Sequence, residues 1–311
     1  MLTPPIRIDI VPPGYAAGAP LPWWGKLSIK IALGALPLSR ALLRHVGINR
    51  HTFVHASPDR LVSEPRSYAK RFQALAGRRP RALLELGPGR LVTRAPVYAA
   101  LVDGPVWFYD IEDDAPHSTS PYAEAAALAR AAGLASPSIP SGGGKAAGLR
   151  ACRAVHLVGR TEALAAIPSG SVDLVISDVA LEHVRRNTIP TLLRELRRIS
   201  APGALHLHSI DFHDHIGGGL NHLRFPAWFW EGRLVASSGI YVNRLGLTAL
   251  LQAFAEVGFD AAARRNLAWA KPPLDAADVH VTARRLRDDD SVCHAVIEAR
   301  CPAMLATRVR H

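Results

Sequence analysis

Three cysteines in 311 residues leave little room for a disulfide framework. Cys152, Cys293 and Cys301 are odd in number, and their spacing fits neither a zinc site nor a CxxC pair. The expectation is a reducing compartment, the cytoplasm, with the thiols packed as small apolar groups. Long apolar runs are scarce too. The nearest to a membrane span, Leu27 to Val46, is broken by Lys30, Pro37, Arg40 and Arg44. It falls short of the ~20 clean residues a span needs. With Trp23 and Trp24 at its start it could lie along a membrane surface. The plainer expectation is an amphipathic helix packed on the domain. Six prolines between Met1 and Gly25 leave no unbroken core for a secretory leader. Aromatics are few, at 6%, but hydrophobic residues make up 49% and charged residues only 20%, which excludes a disordered chain.

The formal net charge is +11. Attraction to a polyanion is one reading. The basic residues nevertheless come in short scattered groups, such as Arg185-Arg186, Arg197-Arg198 and Arg264-Arg265. No nucleic-acid-binding module is visible, so solvated surfaces account for the charge more simply. Fixed metal signatures are missing as well. Asp178, Glu182 and His183 adjoin, and Asp211, His213, Asp214 and His215 cluster, yet no HExxH or similar spacing appears. No metal is expected.

What is present is an alternation of short apolar runs with helical patterns. Runs at 81–86, 106–111, 154–158, 172–177 and 204–210 read as buried strands. Segments 93–102, 121–134, 191–199 and 247–257 read as helices. Val292 to Ala299, after an Asp288-Asp289-Asp290 turn, reads as a last strand with no helical crossover before it, so it is expected to be antiparallel. Residues 1 to about 22 read as irregular, and Ser136 to Gly148 as a flexible Ser/Pro/Gly insertion. From Trp23 to Leu75 two or three helices are expected, with breaks at Pro37 and at Ser57-Pro58-Asp59. The division is an N-terminal helical extension over 1–78 and an α/β domain over 79–311. The latter carries an aromatic-rich insertion at about 211–245, with Phe225, Trp228, Phe229, Trp230 and Tyr241. Such alternation gives a mostly parallel sheet with helices on both faces, and a ligand crevice at the carboxyl ends of the strands.

The string Glu85-Leu86-Gly87-Pro88-Gly89 sits at that edge. Glycines let a ligand approach the backbone. An acid at the mouth of the turn repels a pyrophosphate and attracts an ammonium group. That argues against a nicotinamide dinucleotide and for S-adenosyl-L-methionine. Asp110 ends the next strand and can accept bonds from ribose hydroxyls, with Glu112 the second choice.

On these residues the chain resembles the class I S-adenosylmethionine-dependent methyltransferases. Glu85, Gly87 and Gly89 match the first motif, and Leu91 stands where a third glycine is usual. Ser169 to Asp178, followed by Leu181-Glu182-His183-Val184, resembles the fourth motif and the stretch after it. The resemblance implies a Rossmann-like, mostly parallel seven-stranded sheet with an antiparallel last strand. It implies cofactor contacts from Glu85, Gly87, Gly89, Asp110, Ile111, Glu162 and Asp178. His183, His213 and His215 are the candidates for the base that takes a proton from the acceptor. The acceptor is expected to be a small molecule, methylated on oxygen or nitrogen. An RNA methyltransferase, a nicotinamide oxidoreductase and a non-catalytic cofactor-binding protein are the competing readings.

Overall fold

The computed structural model describes residues 7–11, 22–35, 58–236, 238–284 and 291–302. Eight strands form one sheet: β1 (Arg7–Val11), β2 (Leu83–Leu86), β3 (Val106–Asp110), β4 (Ala154–Val158), β5 (Val172–Asp178), β6 (Ser200–Asp211), β7 (Asp260–Trp269) and β8 (Val292–Arg300). Their order is β1-β7-β8-β6-β5-β2-β3-β4. Every neighbouring pair is parallel except the two that involve β8, which runs antiparallel to β6 and β7. The expected antiparallel last strand is therefore present. From β2 the chain winds outward through β3 to β4, then returns to the other side of β2 with β5. The carboxyl ends of β2 and β5 flank that reversal, which is where an open α/β sheet binds ligands.

Ten helices accompany the strands among the described residues: α1 (Trp23–Ala35), α2 (Pro58–Ala76), α3 (Ala95–Leu101), α4 (Ser120–Ala131), α5 (Gly144–Ala151), α6 (Ile189–Ile199), α7 (Ala227–Trp230), α8 (Arg233–Ala236), α9 (Leu247–Glu256) and α10 (Val281–Arg284). Both faces of the sheet are covered, so the central strands are apolar on both sides. One face meets α6 and α9. Ile189, Leu192, Leu193, Leu196 and Ile199 repeat at helical spacing along α6 and are all buried. At ~1.5–3 kcal/mol per side chain, that stripe contributes on the order of 10 kcal/mol before chain entropy is subtracted. The other face meets α2 to α5 through Phe72, Tyr98, Tyr122 and Leu149.

Four readings of the sequence need correction or refinement. Residues 7–11 are not irregular: they add an eighth strand beside β7. Strand β7 was not separately foreseen, because Asp260-Ala-Ala-Ala-Arg-Arg is rich in helix formers. Its place between β1 and β8 overrides that propensity. The Ser136–Gly148 insertion is irregular only up to Gly143. Helix α5 then starts, burying Ala147 and Leu149, and Lys145 reaches Asp113 at 2.7 Å. The break expected at Ser57-Pro58-Asp59 becomes the start of α2, with Pro58 in the first turn, where its missing N–H costs nothing. Pro37 and the Asp288-Asp289-Asp290 turn lie outside the described residues.

Two buried carboxylates tie the layers together. Glu298 on β8 accepts from Arg71 of α2 at 2.7 Å, Arg264 of β7 at 2.9 Å and Arg300 at 3.1 Å. Asp173 on β5 accepts from Arg78 at 2.8 Å and from the Arg81 backbone N–H at 2.7 Å, bonds that hold its carboxyl down at about 2 despite the opposing effect of burial. The Asp173→Ala variant is expected to lose about 2 kcal/mol, since both arginines can turn to water but the Arg81 N–H loses its acceptor. Thermal unfolding should show a drop of roughly 4–8 °C. A shift under about 1 °C would mean that these bonds add nothing to stability.

The segment after β6 is held by one side chain. Buried Asp214 accepts the N–H groups of Ile216 at 3.0 Å, Gly217 at 2.5 Å, Gly218 at 3.0 Å and Asn221 at 2.6 Å. The aromatic insertion then packs on α1: Leu27 joins Ile216, Trp230, Tyr241 and Val242, with Trp23 and Phe225 alongside. Helix α1 is thus seated on the insertion.

Candidate active site

The register brings the acids to one edge and one face. Glu85 on β2 pairs with Phe108 of β3 and Ile176 of β5. Asp110 and Asp178 lie two residues beyond those partners and so project to the same face at the carboxyl edge. The turns above them touch. Gly87 has φ +65°, and a Cβ there would come within 2.6 Å of the Ala180 Cβ. Val179, a β-branched residue, holds φ +52° in that second turn, with its N–H on the Ser209 carbonyl at 2.9 Å. Backbone strain of this kind concentrates at functional sites.

Gly89 also lies in the left-handed region, at φ +52°, but a Cβ there would meet nothing within 4 Å. Its N–H donates to Asp110 Oδ2 at 2.9 Å, while Asp110 Oδ1 accepts from Ile111 at 2.8 Å. Asp110 therefore fixes the glycine turn as well as facing the crevice, and burial raises its pKa. Ile111 beside it is 60% exposed. Glu162 is exposed on the turn after β4, while Thr161 is buried against the Tyr109 hydroxyl.

Glu85 is only 3% exposed. Burial pushes its carboxyl up to about 7; the Arg94 guanidinium opposes the rise and the Asp178 carboxylate adds to it. Its Oε1 lies 3.5 Å from Arg94 Nη1, and its Oε2 is buried with no hydrogen-bond partner. The Tyr98 hydroxyl acts on the same carboxylate without meeting hydrogen-bond geometry. Arg94, itself buried, also bonds Glu64 of α2. Tyr68 of α2 feels Asp178, Glu64 and Glu85, and burial raises its hydroxyl pKa. Arg94, Glu64 and Tyr68 were not foreseen. Nothing in the sequence links α2 to the glycine turn, and Arg94 sits just before α3 with no pattern to single it out. An unpaired carboxylate oxygen, open space above Gly89 and an exposed apolar side chain at Ile111 fit an ammonium-bearing nucleoside cofactor.

The glycines predict different failures. Gly87→Ala drives a methyl into Ala180 and strains the turn, and should lower both the melting temperature and the affinity for S-adenosylhomocysteine. Gly89→Ala meets no protein atom, carries only ~1–2 kcal/mol of backbone strain, and should fill cofactor space. Its expected result is a cofactor affinity reduced tenfold or more with a smaller loss of stability. Equal affinities for Gly89→Ala and the parent would place the cofactor elsewhere.

The candidate bases separate clearly. His183 Nδ1 lies 2.8 Å from the Tyr241 carbonyl oxygen, which can only accept, so Nδ1 carries the proton. Its Nε2 lies 3.2 Å from His215 Nε2, and the rings stack at 4.9 Å. His213 turns elsewhere: it bonds Asp211, meets the Trp269 ring edge-on at 5.0 Å, and feels Cys293. Against the opposing effect of burial, Asp211 and Cys293 raise it to about 9, which favours its ion pair with Asp211. Glu182 is buried, accepts the Asp211 N–H at 3.1 Å, and has its pKa raised by burial first and by Asp211. The structure thus brings His183 and His215 together and leaves His213 as an ion-pair partner. Among the described residues no cluster of three or more His, Cys, Asp or Glu side chains suits a metal ion.

Residues 138–207 match the family model described as a methyltransferase domain. A search of curated proteins finds no match. Solved structures similar to this chain include the YcgJ protein of Bacillus subtilis, at 14% identity over 76% of this chain and 98% of that one, with a TM-score of 0.42. A methyltransferase dependent on S-adenosylmethionine from Mesorhizobium loti matches at 17% identity over 79% and 99% of the two chains, TM-score 0.39. The phosphoethanolamine N-methyltransferase 2 of Haemonchus contortus, solved with S-adenosylhomocysteine, matches at 13% identity over 82% of this chain and 60% of that one, TM-score 0.43. The methyltransferase-domain match over residues 138–207 thus falls on the same sheet whose order and acid-bearing glycine turn form the candidate site.

Proposed function

We propose that the chain is a class I S-adenosyl-L-methionine-dependent methyltransferase that methylates an oxygen or nitrogen of a small-molecule acceptor in the cytoplasm, with His183 as the base. The observation that carries this reading is the His183–His215 contact. It joins the turn after β5, beside Asp178, to the insertion after β6. The Tyr241 carbonyl fixes the His183 ring and leaves Nε2 as its basic atom. His215 donates to that atom until an acceptor hydroxyl or ammonium takes its place. Asp178 and Asp211 at the same edge favour the imidazolium that forms. The cofactor supplies a methyl group on a sulfonium, already activated toward in-line displacement. Glu85 holds the cofactor's ammonium group, Asp110 its ribose, and Ile111 the adenine face, while Gly87, Gly89, Glu162 and Asp178 shape the pocket. The remaining work of the chain is alignment and exclusion of water.

The charge distribution supports a small acceptor over RNA. Acids line the crevice edge, at Glu85, Asp110, Asp178, Glu182 and Asp211. Several arginines are committed to Asp173 and Glu298 away from that edge. Incubation with radiolabelled S-adenosylmethionine and cell extract, followed by size fractionation, is the test. Label in the low-mass fraction supports the reading. Label confined to RNA or protein would overturn it.

A further inference from the structure

Helix α1 has no polar side broad enough for a surface helix. Trp23, Leu27 and Ile31 recur every four residues and face the insertion. Trp24 on the other side is nevertheless 61% exposed, and Ile29 is exposed as well. Neighbouring helices continue the surface. Trp228 of α7 is 78% exposed, and Leu234 of α8 and Val281 of α10 are exposed too. These side chains are linked by contacts beneath them. The Trp23 ring lies 6.0 Å from Phe225, Phe225 lies 5.1 Å from Phe229, and Phe229 lies 5.9 Å from Trp228. Helix α8 packs on α1, and the Ala227 N–H donates to Thr282, next to Val281, at 3.1 Å. Single exposed apolar residues are ordinary, but several on adjoining helices form a patch that calls for a partner.

The sequence around the patch names the chemistry of that partner. From Trp23 to Ala35 helix α1 carries no Asp or Glu, while Lys26 and Lys30 both lie on it. Arg233 is exposed beside Leu234. Tryptophans next to lysine and arginine suit the boundary between acyl chains and anionic headgroups. A second copy of the chain would set this acid-free segment against itself, within a molecule of net charge +11.

We propose that the face made by α1, α7 and α8 is a docking surface for an anionic lipid membrane, with Trp24 and Trp228 entering the headgroup boundary. The enzyme then works as a peripheral protein, with the insertion that bears His215 lying against the lipid. No described helix is long and apolar enough to cross a membrane, so the attachment is along the surface. This surface does not depend on which acceptor is methylated.

Co-sedimentation with phosphatidylcholine vesicles containing about 30% phosphatidylglycerol, compared with phosphatidylcholine alone, tests it. The full chain should bind the anionic vesicles at least about tenfold more tightly, and salt should weaken the binding. The double variant Trp24→Ser, Trp228→Ser should lose about tenfold or more of that affinity while keeping the parent's affinity for S-adenosylhomocysteine. If that variant loses cofactor affinity as well, quenching of the parent's tryptophan fluorescence by brominated acyl chains decides instead. Quenching supports the proposal, and its absence overturns it. Equal sedimentation of parent and variant, no binding to either vesicle, or a parent dimer that the variant splits to monomers would each overturn it too. Because cofactor affinity is read separately, failure here leaves the methyltransferase assignment standing.

Discussion

Replacing Glu85 by Gln is expected to cut the affinity for S-adenosylhomocysteine by about 10- to 100-fold, the loss of one charge-assisted hydrogen bond in a buried site. The conservative change matters. A lysine at this position would instead bury a second cation against Arg94 and endanger the fold. The carboxyl of Glu85 titrates at about 7, raised chiefly by burial. In the cofactor-free protein it is therefore protonated in mildly acidic solution and ionised in mildly basic solution. An ammonium ligand selects the ionised form, so binding must release a proton below that pKa. Affinity for S-adenosylhomocysteine should fall up to tenfold per pH unit as the pH drops below about 7, and level off above it. The Gln variant should lack this dependence. Calorimetric titrations at several pH values, in two buffers of different ionisation enthalpy, read both the affinity and the proton. A parent affinity that is flat across pH 6 to 8 would show that Glu85 does not meet the ammonium group.

His183→Ala should lower kcat by about 10²- to 10⁴-fold, the range for removing a positioned base, once an acceptor is in hand. The affinity for S-adenosylhomocysteine should stay within about threefold of the parent, because the imidazole meets the acceptor rather than the cofactor. His215→Ala should fall between parent and His183→Ala, since His215 only caps the basic nitrogen. His213→Ala should act differently. It breaks the pair with Asp211 and leaves a half-buried carboxylate without that partner, so the melting temperature falls along with the rate. A His183→Ala enzyme with unchanged kcat would remove the base from the mechanism and leave alignment alone.

Much of the fold was legible because strand burial leaves a plain signature. Val172 to Ser177 and Leu83 to Leu86 are buried on both sides and mostly apolar, as strands covered on both faces are, and both appear where the pattern placed them. β7 hid because its alanines carry little strand preference, and β1 because prolines surround it in a stretch without obvious periodicity. The site was legible in part. Glu85, Gly87 and Gly89 announce themselves by one acid and two glycines in five residues. The grip of Arg94, Glu64 and Tyr68 on that acid comes from α2 folding over the sheet, a contact between distant segments that no local pattern records. Among the histidines, sequence offered three equivalent imidazoles. Only the tertiary structure separates a ring held by the Tyr241 carbonyl from one locked on Asp211.

A crystal structure of the complex with S-adenosylhomocysteine bears most directly on the whole account. The amino group should lie within hydrogen-bond distance of Glu85 Oε2, the atom that is buried without a partner, and the ribose hydroxyls should face Asp110. A nucleoside seated away from Gly89, or an amino group that ignores Glu85 for another acid of the crevice, would contradict it.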